Sequence, residues 1–369
     1  MGDYFIGLIS GTSMDGIDAA LVRFEDSSVE VLQTHEHKYP SELRQKLSVA
    51  KLDPGVCSLG DVGSLHAEVG ECFRDAANGL LTSAGVDTST VAAIGSHGQT
   101  IRHEPNADRP FSLQIGDPDI ISAGTGITTI ADFRSADIAL GGQGAPLTPI
   151  FHEWLFRKPG VNRVVLNIGG IANITVLRGD DSETTGFDTG PGNTLLDAWI
   201  GKHLQQSFDD NGDWASQGAV VDELLSRLLA DPYIATPPPK STGFEYFNLD
   251  WLAERGVDDY SPIDVQATLS AFTACSVAAA ILEYASDSSA VYVCGGGVHN
   301  ADLMQRLAAE LPGIIVQSSE SAGLDPDWVE AVAFAWLAMR NLHEQPGNLP
   351  AVTGARCATI LGVVHDVGR

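Results

Sequence analysis

Three glycine-bearing turns carry the residues with the clearest chemical use. The first, Ser10-Gly11-Thr12-Ser13-Met14-Asp15-Gly16-Ile17-Asp18, separates apolar runs at residues 4–9 and 17–24. Backbone N–H groups in such a turn stand unshielded. With the hydroxyls of Ser10, Thr12 and Ser13 they can grip phosphate oxygens. The second, Asn167-Ile168-Gly169-Gly170, lies between runs at 164–168 and 171–177. The third, Gly295-Gly296-Gly297, follows the run 290–294 and precedes a helical pattern at 300–311, so a flat adenosine could approach its backbone closely. Each alone reads equally as a hairpin turn or a tight strand–helix connection. Lys240-Ser241-Thr242 does not end a P-loop, because Pro237-Pro238-Pro239 stands where that motif needs glycines. Gly295-Gly296-Gly297 also lacks the Rossmann spacing.

Positioning such turns needs strands that end at them. Apolar runs split by a polar glycine turn predict β-hairpins at both the first and the second turn. Residues 29–33 predict a further antiparallel strand. Residues 41–50, 59–84, 194–203, 262–284, 300–311 and 328–343 predict helices. In the second of these, Leu65, Val69, Cys72, Phe73, Ala76 and Leu80 follow the helical period. A short strand at 91–94 is expected to open into a loop holding Ser96, His97, Gly98, Gln99 and Thr100. Strands at 111–115 and 127–131 are expected to end at Gly116-Asp117 and Asp132-Phe133-Arg134. Asp188-Thr189-Gly190-Pro191-Gly192-Asn193 is read as a loop ahead of a helix. The recurrence of a glycine hairpin in the second half predicts an α/β protein of two related, sheet-bearing domains with a cleft between them. The expected division is 1–130 and 131–355, with 356–369 packing back on the first domain.

Composition bounds the function. At about 150 residues per domain, 369 residues suffice for two domains. Apolar residues are 44% and charged residues 19%, which excludes a disordered chain. A formal net charge of −27 argues against nucleic-acid partners and anionic membrane surfaces. No continuous apolar run reaches the roughly 18 residues of a membrane span, and residues 1–10 lack a basic signal region. Five scattered cysteines without CxxC argue against a disulfide framework or zinc site, and for a reducing cytoplasm.

Together the three turns resemble the two phosphate motifs and the adenosine motif of the actin–hexokinase–Hsp70 ATPase fold. At finer grain, IGLISGTSMDGID, IGSHGQTIRHEP, QIGDP, ADFRSADIALGGQGAPL, LNIGGIANIT, GFDTGPGN, PKSTGFEYFN, VCGGGVHN and VTGA resemble the anhydro-N-acetylmuramic acid kinase family, from about Phe5 to about Gly362. The resemblance implies an ATP-dependent cytoplasmic kinase of bacterial cell-wall recycling, homodimeric, converting 1,6-anhydro-N-acetylmuramic acid to N-acetylmuramic acid 6-phosphate. Water would open the anhydro ring during phosphorylation.

On that resemblance Asp188 is the expected general base and Glu330 an assisting carboxylate. A helix N-cap is the plainer role for Asp188, and a partner of the helix dipole for Glu330. Gly11 to Asp18, Asn167, Gly169, Gly170, Gly190, Gly192 and Gly295 to Gly297 are assigned to the nucleotide. Ser96, His97, Gly98, Gln99, Thr100, Gln114, Asp132 and Arg134 are assigned to the sugar, with Arg134 as a planar fork for the lactyl carboxylate. His97 reads equally as a satisfied core histidine. Mg²⁺ is expected to arrive mainly through ATP and water, with Asp15 and Asp18 near it. A nucleotide-driven scaffold of the same fold, or a glycoside hydrolase, would instead show ATP turnover indifferent to sugar, or ring opening without ATP.

Overall fold

Twelve strands among the described residues carry the architecture: β1 (Tyr4–Ser10), β2 (Gly16–Glu25), β3 (Ser28–Lys38), β4 (Val91–Glu104), β5 (Phe111–Ile115), β6 (Thr129–Ala131), β7 (Arg163–Ile168), β8 (Ile171–Leu177), β9 (Thr185–Pro191), β10 (Ala290–Cys294), β11 (Ile315–Ser318) and β12 (Val363–His365). The computed structural model describes every residue except Met1, Thr12, Ser13, 53–56, Asp181 and 367–369. Thr12 and Ser13, assigned above to the nucleotide, therefore lie outside the described residues.

The first glycine turn closes a hairpin in which β1 and β2 pair antiparallel, with Ile9 opposite Asp18. β3 continues the meander, while β4 and then β6 run parallel to β1 on its other side. The order is β6-β4-β1-β2-β3, extended by β12 beside β6 and by β5 on β4. The second sheet has the order β11-β10-β7-β8-β9, with β7, β8 and β9 antiparallel and β10 and β11 parallel to β7. One five-strand plan is thus used twice, as the repeated glycine hairpin anticipates.

The chain divides into one unit of residues 1–155 with 328–369 and another of residues 156–327. These limits differ from the expected 130/131 and 355/356. The helix Val329–Leu342 accounts for the later limit. Gly7 of β1 and Gly95 of β4 stand side by side in register. A Cβ on Gly7 would strike the Ala331 carbonyl, and one on Gly95 the Phe334 carbonyl. Helix backbone therefore rests on sheet backbone, and the C-terminal residues belong to the first sheet. On the same unit, the helix Leu59–Ala84 starts at a Ser58–Asp61 capping box and buries Leu65, Val69, Phe73, Ala76 and Leu80.

In the second unit the helix Pro262–Tyr284 reaches the length of a membrane span without being a continuous apolar run. Its 23 residues are long and apolar enough to cross a membrane, with mean hydropathy 1.7 over its most apolar window. Yet 78% of that window is buried inside the unit. Buried Gln266, Thr268, Ser270, Thr273 and Ser276 interrupt the apolar run in sequence. Core helices covered on all sides share this composition with membrane spans.

Candidate active site

In the first unit the turn after β1 is braced from within. Ser10 Oγ lies 2.7 Å from both the Gly16 carbonyl and Gln99 Oε1, and Gln99 Nε2 donates to the Gly11 carbonyl at 3.2 Å. Gln99 is buried, and its amide braces the first glycine turn at both ends. Met14 is buried and takes φ 54°, Gly16 and Ile17 are buried as β2 begins, Asp15 is exposed, and Asp18 is partly exposed in β2.

Residues 96–100 form no loop. β4 runs through them, pairing first with β1 and then, from Gln99, with β5. Gly98 takes φ +71° at the irregularity, and a Cβ there would meet the Ile115 carbonyl at 2.6 Å. That left-handed residue lets a strand change partners without ending. Ser96 and His97 are buried beside it. His97 Nδ1 lies 3.0 Å from the Gly98 carbonyl, and Arg134 Nη2 lies 2.8 Å from His97 Nε2. Arg134 is a donor only, so Nε2 accepts and Nδ1 carries the proton. Burial, helped by the Arg134 charge, pulls His97 down to about 3. Arg134 Nη1 donates to the Gly144 carbonyl at 2.6 Å.

The other assigned side chains divide between site and scaffold. Gln114 Nε2 donates to Thr100 Oγ1 at 3.1 Å and Ser112 Oγ at 2.7 Å. Asp132, at φ 55°, accepts from Ser135 Oγ at 2.6 Å and so shapes the entry to the helix Ser135–Ala139. Glu330, in the first turn of the helix Val329–Leu342, has its carboxyl pushed up by desolvation, against the opposing pull of Arg134. Arg134, His97 and Glu330 thus form one electrostatic group.

In the second unit Asp188 lies within β9, opposite Asn173, and not in a loop after a strand. The ladder with β8 shifts register between Ala172 and Asn173, which lets β9 continue past it to Pro191. Thr242 N–H donates to Asp188 Oδ2 at 3.0 Å, Tyr233 OH to the Asp188 carbonyl at 2.9 Å, and Asp188 N–H to the Lys240 carbonyl at 3.3 Å. Lys240 Nζ is anchored to the Tyr233 and Ile234 carbonyls, both at 3.1 Å. The segment is held in turn by buried Asp231, which accepts from Tyr233 N–H, Tyr246 OH, Trp251 Nε1 and Arg255. Sequence reasoning assigned none of these supports, although PKSTGFEYFN marked the segment.

The second glycine turn is tied to the helix Thr194–Leu204. Gly192 and Thr194 N–H donate to the Gly170 carbonyl at 2.9 and 3.0 Å, and Asn193 N–H to the Gly169 carbonyl at 2.8 Å. Because C=O and N–H oppose each other in a trans peptide, the Gly170 N–H points away from that helix. Gly190 lies beside Ile234 and Ser276. Asn167 Oδ1 is buried without a hydrogen-bond partner where β7 meets β10, and a Cβ on Gly295 would collide with it. Gly297 packs on Ile168, while Gly296 has open space around it. Asn167, Gly295 and Gly297 therefore gather in one place.

The duplicated strand order, with a glycine turn after the first strand of each sheet, is the two-unit α/β fold of the actin–hexokinase–Hsp70 class. The family model for anhydro-N-acetylmuramic acid kinase matches residues 3–366. A protein of that name from Coxiella burnetii (strain RSA 493 / Nine Mile phase I) is 51% identical over 363 residues, covering 98% of this chain and 97% of its own. One from Shewanella amazonensis (strain ATCC BAA-1098 / SB2B) is 52% identical over 361 residues, covering 97% of each. The chain belongs to the anhydro-N-acetylmuramic acid kinase family, and it is an enzyme.

Proposed function

We propose that Asp188 is the general base of an ATP-dependent reaction that opens 1,6-anhydro-N-acetylmuramic acid with water and yields N-acetylmuramic acid 6-phosphate. Asp188 takes a proton from water, and the water oxygen bonds to C1. The bond from C1 to the bridging oxygen breaks, and its electron pair stays on that oxygen. The oxygen then bonds to the γ-phosphorus of ATP as the bond to ADP breaks. The bridging oxygen is a poor leaving group unless something accepts its charge, and the γ-phosphoryl group accepts it. Each half of the reaction supplies what the other lacks.

The observation that carries this reading is the three-point hold on Asp188, which orients Oδ2 from Thr242 and fixes the backbone from Tyr233 and Lys240. A base must be placed within hydrogen-bond reach of its proton before its pKa matters. The planar Arg134 guanidinium, oriented by its bonds to the Gly144 carbonyl and His97 Nε2, suits a lactyl carboxylate. Glu330 assists as a carboxyl beside that group.

Asp15, exposed, and Asp18, partly exposed, flank the first glycine turn and fit Mg²⁺, which keeps most of its waters and would be held through them. When bound, Mg²⁺ supplies neutralisation of the β- and γ-phosphate oxygens.

Turnover in ¹⁸O-labelled water tests the reading. The label is expected at C1 of the product and not in its phosphate ester, with no ring opening on a non-hydrolysable ATP analogue. Free N-acetylmuramic acid appearing before any phosphorylated sugar would sink the coupled reaction.

A further inference from the structure

The stretches ADFRSADIALGGQGAPL and VTGA meet at a residue the reaction above does not use. Asp137, in the helix Ser135–Ala139, is fully buried. Its Oδ2 accepts the Gly144 N–H at 2.8 Å, and its Oδ1 accepts Asn348 Nδ2 and Thr353 Oγ1, each at 2.7 Å. Its own carbonyl accepts the Gly142 N–H at 3.0 Å, and the Thr353 carbonyl accepts the Gln143 N–H at 2.7 Å. A Cβ on Gly142 would overlap the Asp137 carboxylate, and Gly144 takes φ +66°. Residues 142–144 are therefore wrapped round one buried carboxyl group, which the Gly144 N–H, Asn348 Nδ2 and Thr353 Oγ1 hold at three points.

Gly144 is where this wrap touches the site. Its N–H is held by Asp137, and its C=O accepts Arg134 Nη1. Arg134 Nη2 then meets His97 Nε2. The buried carboxylate is thus two hydrogen bonds from the guanidinium fork, with a single residue between them. We infer that Asp137 is a positioning residue that aims Arg134 at the sugar by fixing the Gly144 carbonyl. The inference rests on the proposed use of Arg134 as a carboxylate fork. Such forks lose their advantage with errors of about 0.5 Å or 10–20°.

Asp137→Asn keeps the shape but sets an amide N–H₂ against a donor. It is expected to raise KM for the anhydro sugar roughly tenfold, with KM for ATP and kcat within about twofold. In an Arg134→Lys background it should add little, because the two residues act as one unit. Thr353→Val, which removes one of the three donors, should shift sugar KM in the same direction by less. The imidazole ¹⁵N resonances of His97 read the geometry without turnover, and they should move in folded Asp137→Asn as they do in Arg134→Lys. Unchanged His97 resonances in the folded variant would overturn the inference, as would sugar and ATP KM rising together. If Asp137→Asn moves His97 while Arg134→Lys leaves sugar KM unchanged, the substrate role of Arg134 falls and its orientation by Asp137 stands.

Discussion

Asp188 and Arg134 meet different kinds of support, and their substitutions should fail differently. Asp188 sits in a strand whose own bonds do not depend on its charge, with one carboxylate oxygen oriented by Thr242. Asp188→Asn should therefore fold and bind nucleotide but lose kcat by about 10²–10⁴-fold. A variant keeping a tenth of the turnover would remove Asp188 as base. Arg134 is used as a plane with two ends, one on Gly144 and one on His97. Lys keeps the charge and loses the plane. Arg134→Lys should raise KM for the anhydro-muramic sugar more than for ATP, and the loss should vanish with an analogue lacking the lactyl carboxylate. An equal loss on both sugars would assign Arg134 to another group. His97 illustrates a residue of two roles: it is a buried, satisfied histidine, and it is also the acceptor that orients the fork.

At the scale of elements, glycine marks close approach more than turning. Gly7→Ala should cost on the order of 3 kcal/mol, because neither the sheet nor the helix Val329–Leu342 can yield backbone. Gly63→Ala, where a Cβ meets nothing within 4 Å in the helix Leu59–Ala84, should gain roughly 0.5–1 kcal/mol. Chemical denaturation of both variants checks the pair, and equal effects would refute the packing argument. The two hairpins and the long helices were legible because their apolar periods are uninterrupted. Residues 96–100 resemble a loop in sequence because glycine and polar residues dominate them, although pairing with β5 keeps them in β4. The glycines after Asp188 disguise the continuation of β9 for the same reason. The roles of Gln99 and Asp137 were not legible at all. Their partners lie 88 or more residues away at Ser10, Gly11, Asn348 and Thr353, and no local pattern encodes that distance.

For the molecule as a whole, the first unit buries His97 and His152 and half-buries His103. Burial pulls His97 and His152 down to about 3 and, helped by Arg134, His103 to about 4. Their unfolded value is about 6.5, so between that and their folded values the unfolded chain binds more protons. Stability contributed by their neutral burial is complete above about pH 6.5 and is lost as pH falls towards 4 or 3. Each fully linked histidine removes on the order of 1 kcal/mol per pH unit in that window. Urea midpoints measured from pH 7 to pH 4 should fall steeply, and more shallowly in a folded His152→Gln variant; parallel slopes would show that His152 does not drive the loss. The interrupted course of the first unit, residues 1–155 and then 328–369, has a consequence for birth of the protein. On the ribosome, β1 and β4 are made early, but the helix that covers Gly7 and Gly95 is made after all of residues 156–327. Domains generally fold as units during synthesis. The second unit can therefore mature while the first still waits with one face of its sheet bare, and translation sets the interval over which nascent chains are exposed to chaperones.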